Sequence, residues 1–258
     1  MRTYVLLIVS IVGRGGPRPE VNNMAQTMDV AIGSIHLENP KTALRTKEEV
    51  RYRIAEIGIV PAIRVGSEDD ALFVAEALAA AGIPIVEIST VFPGAFHAIS
   101  HVAERLPEIT VGAGNILNIE TARRCLDEGA QFLTTDGFIE NVVELAIRED
   151  VVVFPGALTP TEVIAAWQSG ADFVKVMPCD PMGGANYIRS LTFAMPQIRL
   201  IAAGGINQRT ALSFITAGAT ALGVGSDLIP AEAIHSRQAQ RIQELARRFL
   251  SSVASGRN

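Results

Sequence analysis

Charge, cysteine and aromatic side chains are all scarce in this sequence. Of 258 residues only 19% are Asp, Glu, Lys or Arg and 5% are aromatic, with two cysteines and one tryptophan. A charged fraction below the roughly 25% of ordinary soluble proteins, set against 48% hydrophobic residues, excludes a disordered chain, a collagen and a coiled coil. The 22 Lys plus Arg are outnumbered by 27 Asp plus Glu, so the broad basic surface that phosphate backbones require is missing and no nucleic-acid partner is expected. Cys125 and Cys179 are too far apart for a CxxC-type site and too few for a disulfide framework, which points to a reducing, cytoplasmic setting. The apolar stretch Tyr4 to Val12 falls well short of the about 20 residues a membrane helix needs, so no membrane association is expected. It is long enough for the core of a secretory leader, but the following GRGGPRPE carries no small-x-small cleavage pattern. Residues 1–45 are therefore expected to be an extension outside the fold, with Met24 and Met28 both preceding the first convincing element.

What is present is a repeated unit. Thr46 followed by Lys47, Glu48 and Glu49 offers a helix cap and an acidic first turn, and Val50, Ile54 and Ile57 follow at helical spacing up to Gly58. The same punctuation recurs at Gly82, Gly129, Gly170 and Gly218, each glycine closing a helical stretch and opening an apolar run. Strands are expected to begin near residues 59, 84, 110, 131, 151, 172, 199 and 221, spaced about 20 to 27 residues apart. Ser67, Asn118, Thr159 and Asn207 supply helix caps after several of them, and Thr159-Pro160-Thr161-Glu162 reads as a capping box with proline at the first helical position. Apolar runs such as Val151 to Phe154 belong to parallel strands covered on both faces. Eight such units argue for a single α/β domain over residues 46–258, a (β/α)8 TIM barrel with an N-terminal helix before its first strand. A doubly wound sheet fits less well, because its G-x-G-x-x-G fingerprint is absent from the first strand–helix turn.

A barrel performs its chemistry at the C-terminal ends of its strands, so charged residues inside strands are the anomalies to interrogate. Arg64 ends the first expected strand, Glu87 lies in the second and Lys175 in the sixth. Lys175 alternates with Val174 and Val176, which turns it to the lumen when they face the helices. Desolvation favours a neutral amine, the nucleophile that forms a Schiff base with a ketone, and Glu87 is its natural partner. A structural Lys–Glu ion pair crossing the barrel is the alternative. The seventh and eighth strands end in AAGG (202–205) and GVGS (223–226), small-residue turns whose backbone N–H groups can hold a phosphate or another anion, with Gly183-Gly184 as a third such turn. His97 and His101 are spaced i, i+4, but no third ligand accompanies them and surface positions are expected.

These motifs taken together resemble the 2-keto-3-deoxy-6-phosphogluconate (KDPG) aldolase / 4-hydroxy-2-oxoglutarate aldolase family. The similarity runs from Ile57 to about Pro230 through IVPAIR (59–64), IVEIS (85–89), VGAGNIL (111–117), FPGALTPTE (154–162), FVKVMP (173–178), AAGGI and GVGS. The resemblance implies a class I, homotrimeric carbon–carbon lyase acting on a small 2-keto acid, with no metal and no cofactor. It implies Lys175 as Schiff-base lysine, Glu87 as proton shuttle and Arg64 as carboxylate contact. Gly204, Gly205, Gly225 and Ser226 are implied as phosphate or substrate contacts, and Asn115 and Pro178 as further members of the substrate site. Four departures accompany it. Asn115 stands where the family has Thr, no cation follows Glu87, TTDG (134–137) replaces Ser-Pro with Asp136 bringing negative charge to the mouth, and Cys179-Asp180 follows Pro178. Decarboxylation of a 2-keto acid through the same imine, and a phosphate-ligand-binding barrel without turnover, remain open alternatives. A phosphate-handling barrel of another reaction has no need of Lys175.

Overall fold

The computed structural model describes residues 45–257, so the expected extension lies outside the described residues apart from Arg45. The first helix, α1 (Lys47–Ile57), begins at the Thr46–Glu49 capping box and ends at Gly58, whose φ of 68° is left-handed. A side chain at Gly58 would also run into Arg257, whose guanidinium donates to the carbonyls of Ala55 and Glu56 at the helix end. Strand and helix then alternate: β1 (Ile59–Ile63), α2 (Glu68–Ala80), β2 (Ile85–Ser89), α3 (Ala95–Arg105), β3 (Thr110–Gly114), α4 (Ile119–Asp127), β4 (Phe132–Thr134), α5 (Glu140–Arg148), β5 (Val152–Phe154), β6 (Gly156–Ala157) and α6 (Pro160–Gln168). After them come β7 (Val174–Val176), a 3-10 turn (Asp180–Met182), α7 (Ala185–Ala194), β8 (Leu200–Ala203), α8 (Ala211–Thr216), β9 (Ala221–Val224), α9 (Ala231–His235) and α10 (Ala239–Arg257).

All pairings are parallel, in the order β5-β4-β3-β2-β1-β9-β8-β7-β6. Nine segments stand where eight strands were expected because Pro155 divides the fifth. Proline has no N–H for the ladder, although its carbonyl still accepts from Lys175 N at 2.9 Å. Since β5 bonds to β4 and β6 to β7, the divided strand joins the two ends of that order and completes a (β/α)8 TIM barrel. The expected caps form at Ser67, Asn118 and Thr159, the last with its reciprocal Glu162 bonds. Asn207 does not cap a helix: its Oδ1 accepts from Arg209 N in a tight turn, and α8 starts only after Thr210. An asparagine two residues from an N–H has that local alternative, and here the turn takes it.

Alternation along the strands sorts the core into two layers. Outward residues such as Val86, Ile88, Val174 and Val176 pack against the ring of helices. Inward residues form a separate cluster: Val60, Ile85, Phe132, Val152, Phe154, Phe173, Ile201 and Ala221, joined by Val50 and Ile54 from α1. The three phenylalanines meet at ring-centroid distances of 5.3 Å (Phe132–Phe154, stacked) and 6.0 Å (Phe154–Phe173, edge-on). Helix α1 therefore plugs the N-terminal end of the barrel, and complete burial of Val50 and Ile54 contributes about 1.5–3 kcal/mol each. Polar ties hold it in place. Lys47 pairs with buried Asp172 at 3.2 Å, and Arg45 and Arg53 both donate to the carbonyl of Glu108 at 2.7 Å.

Candidate active site

Above this floor the inward positions turn polar. Strand β2 presents Ile85, then Glu87 and Ser89; β4 presents Phe132, then Thr134; β7 presents Lys175 between its two outward valines. Period-two alternation on a short strand thus delivers one apolar residue to the floor and one functional residue to the C-terminal end. Glu87 and Lys175 are 5% and 4% exposed. Glycines on β3 make space for them: a Cβ on Gly114 would overlap the Glu87 carboxylate, and one on Gly112 would overlap the Phe132 ring.

Lys175 and Glu87 are not directly paired. They stand on strands separated in the ring by β3, β4 and the divided fifth strand, and Thr134 bridges the gap. Lys175 Nζ donates to Thr134 Oγ1 at 2.9 Å, and that hydroxyl donates onward to Glu87 Oε2 at 3.1 Å. The carboxylate that touches the amine is Asp136, just past β4, with Oδ1 2.8 Å from Nζ. The alternative of a structural Lys–Glu ion pair crossing the barrel is thus not what forms. Burial alone would raise the Asp136 pKa, but the charge and hydrogen bond of Lys175, a hydrogen bond from Asn115 and the charge of Arg64 outweigh it and hold the carboxyl below the usual aspartate value. Asn115 donates its side-chain amide to Asp136 Oδ2 and accepts from Ser89 Oγ at 2.5 Å.

A cavity of about 120 Å³ opens above this network. Its walls carry Arg64, Glu87, Lys175 and Met177, and two turns line it, Gly204 to Ile206 and Gly225 to Asp227. The structure therefore brings together Lys175, Glu87, Arg64, Gly204, Gly205, Gly225 and Ser226. Arg64 is the first residue beyond β1; it is exposed, and among the described residues it has no ion-pair partner. The N–H groups of Gly205, Ile206, Ser226 and Asp227 donate to no acceptor among the described residues, which leaves four donors for an anion. Asn115 and Pro178 lie off this lining. Asn115 acts through Asp136, while a Cβ on Gly204 would crowd Pro178, so the proline packs behind that turn.

Other residues singled out in the sequence stand apart. Gly183 and Gly184 form the end of the 3-10 turn and do not line the cavity. His97 is exposed and His101 half-buried on the outer helix α3. Cys179 is buried, its thiol donating to the Val176 carbonyl, and burial pushes its pKa up to about 11; burial likewise takes Cys125 to about 12, so neither is a ready nucleophile. Sequence reading missed Thr134 as the bridge and Asp136 as the contact of the amine. The available signal for Thr134 was its two-residue offset from Phe132, which assigns both to the same face of β4.

The chain is similar to known proteins over most of its length. It is 29% identical over 189 residues to a KHG/KDPG aldolase of Escherichia coli strain K12, covering 73% of this chain and 89% of that one. It is 26% identical over 202 residues to a 2-dehydro-3-deoxy-phosphogluconate aldolase of Pseudomonas aeruginosa, covering 78% and 92%. Among solved structures, a KDPG aldolase from Legionella pneumophila with pyruvate captured as a covalent carbinolamine superposes with a TM-score of 0.72 at 25% identity, covering 76% of this chain and 96% of that one. The family model described as aldolase, KDPG and KHG aldolase, matches residues 50–245. With the lysine in the lumen, the carboxylates beside it and the barrel around them, this chain belongs to the KDPG and KHG aldolase family and is a carbon–carbon lyase.

Proposed function

We propose that Lys175 is the imine-forming residue of a class I aldolase that cleaves a 4-hydroxy-2-keto acid to pyruvate and an aldehyde, or runs the reverse addition. The observation that carries this reading is a buried, lumen-facing amine hydrogen-bonded through one hydroxyl to a second carboxylate, at the wall of the cavity. Glu87, directly or through the Thr134 hydroxyl, first takes the proton that Lys175 carries in its pair with Asp136, and the neutral amine attacks C2 of the keto acid. Glu87, directly or through the Thr134 hydroxyl, returns a proton to the carbinolamine oxygen, which leaves as water and gives the protonated imine. Glu87 then removes the proton of the C4 hydroxyl; the C3–C4 electron pair moves into the imine, the aldehyde departs, and the enamine that remains is protonated at C3 and hydrolysed to pyruvate. Arg64 pairs with the C1 carboxylate. A distal phosphate or other anion of the substrate is held by the free N–H groups of the two glycine turns.

The catalytic unit in this reading is residues 46–258, with 1–45 outside it, since every site residue lies in the barrel. A homotrimer, covering exposed apolar side chains such as Val91, Leu117 and Phe193, and a reducing cytoplasmic setting that suits two free cysteines complete it. Among the described residues no helix is long and apolar enough to cross a membrane.

Borohydride reduction in the presence of pyruvate tests the central step. A stable adduct mapped by mass spectrometry to Lys175, and lost in Lys175→Met together with about a thousandfold or more of the cleavage rate, is the expected result. A folded protein that is never trapped, or a Lys175→Met variant with full activity, overturns it. Cleavage rates on matched phosphorylated and unphosphorylated substrates test the anion site.

A further inference from the structure

The amine of Lys175 is flanked by two carboxylates that reach it differently. Glu87 is one hydroxyl away, whereas Asp136 touches Nζ. Asp136 is also the better anchored. Its second oxygen is held by Asn115, which is held in turn by Ser89, and Asn115 adopts φ 57°, a left-handed conformation asparagine tolerates better than most residues. Gly156 completes the seat, because any side chain there would overlap the backbone carbonyl of Asp136. Residues on or beside three other strands, Ser89, Asn115 and Gly156, therefore fix this carboxylate against the amine.

We propose that Asp136 is a second catalytic carboxylate of this lyase, the counter-ion of the protonated imine on Lys175 and the group that confines the substrate carboxylate to the Arg64 side of the amine. The inference rests on imine formation at Lys175. Once the imine forms, its nitrogen keeps one hydrogen and a positive charge, and the anchored oxygen of Asp136 is already within hydrogen-bond distance of that nitrogen. A negative charge there keeps the imine protonated, the state in which it accepts the electron pair of the breaking C3–C4 bond. Asp136 stays ionised throughout. The protons that leave with water and move between reacting oxygens travel through Glu87 and Thr134, so the two carboxylates divide the work between a fixed charge and a proton carrier. Geometry sets the second consequence. The substrate carboxylate is bonded to the imine carbon, and turning it toward Asp136 would oppose two like charges across the same nitrogen. Arg64, the other cation of the cavity wall, draws it the opposite way.

The charged groups facing Asp136 are Lys175 from β7, Arg64 from the end of β1 and, through Thr134, Glu87 from β2. Asp136→Asn tests the role. Its pyruvate–borohydride adduct on Lys175 should still form, because the amine remains. The acid limb of the pH profile for adduct formation should move to lower pH by about one unit, since a lost neighbouring negative charge favours the neutral amine. The cleavage kcat at the plateau should fall at least about tenfold. Asn115→Ala, which frees Asp136 without removing its charge, should move both quantities in the same directions by less. An Asp136→Asn protein with unshifted profile and full kcat overturns the proposal; if that variant does not fold, an Asn115→Ala protein identical to wild type overturns it. Absence of an adduct in the wild-type protein instead overturns imine formation itself.

Discussion

The two ends of the barrel lumen are built from the same strands and share almost nothing chemically. At the floor, Phe132, Phe154, Phe173 and Ile201 interlock with Val50 and Ile54 of α1 and carry no polar side-chain atom. Two residues further along β2 and β4, and on the same inward face of β7, stand Glu87, Thr134 and Lys175, and these are linked to one another by hydrogen bonds. Every buried side-chain nitrogen and oxygen among the described residues has a hydrogen-bond partner, so the polar end is satisfied rather than tolerated. The lesson is a division of labour along each strand: the first inward residue builds the apolar floor, the second supplies the polar network that lines the cavity. Changes at the floor should therefore move stability without moving chemistry, and changes at the mouth the reverse.

The largest expected effect that tests this division is at the floor. Ile54→Ala removes a fully buried side chain from the plug and should cost about 2–5 kcal/mol of unfolding free energy in a urea titration, while kcat of the folded fraction stays at the wild-type value. A large fall in kcat at full occupancy of the folded state would break the division, since it would show that the floor transmits geometry to the lysine. The mouth gives the converse. Gly114→Ala forces the flexible end of Glu87 aside, so kcat should fall about tenfold or more while the urea midpoint changes little. The smallest effect concerns acid. Folding holds the Asp136 carboxyl below its usual value, so the unfolded chain binds that proton more readily, and the stability owed to the group is complete above about pH 4 and lost as pH falls through the lower folded value. The gap in melting temperature between wild type and Asp136→Asn should hold steady from pH 7 to 5 and narrow below about pH 4. A gap that persists unchanged to pH 3 would show that folding does not lower the pKa of this carboxyl.

Much of this was legible in the sequence, and the parts that were not share a cause. Lys175, Glu87 and Arg64 stand out because a charge in or beside an apolar parallel strand is conspicuous whatever surrounds it. The barrel follows from helix caps and closing glycines, which are local signals: Gly58, Gly82, Gly129, Gly170 and Gly218 all adopt positive φ as expected. Thr134 was hidden because a threonine at the end of a strand is ordinary, and only its position opposite two other strands makes it a bridge. Asp136 was legible as a negative charge at the mouth, but its contact with Lys175 is set by the curvature of the ring and the glycine gap at position 156, neither of which has a signature along the chain. Pro155 is the reverse case. Its effect on the ladder is local, but the apolar run Val151 to Phe154 ends before it, and the return of the strand at Gly156–Ala157 has no signal along the chain.

The plug formed by α1 also fixes the traffic of molecules. With Val50 and Ile54 sealing one end of the lumen, substrate and both products share, among the described residues, the doorway on the glycine-turn side. If the imine forms at Lys175 as proposed, the fragment bonded there sits deepest and leaves last, so the aldehyde must clear the passage before pyruvate can follow. Release is then strictly sequential: added pyruvate competes with substrate for the empty enzyme, whereas added aldehyde meets an enzyme already carrying the three-carbon fragment and drives the bond back together.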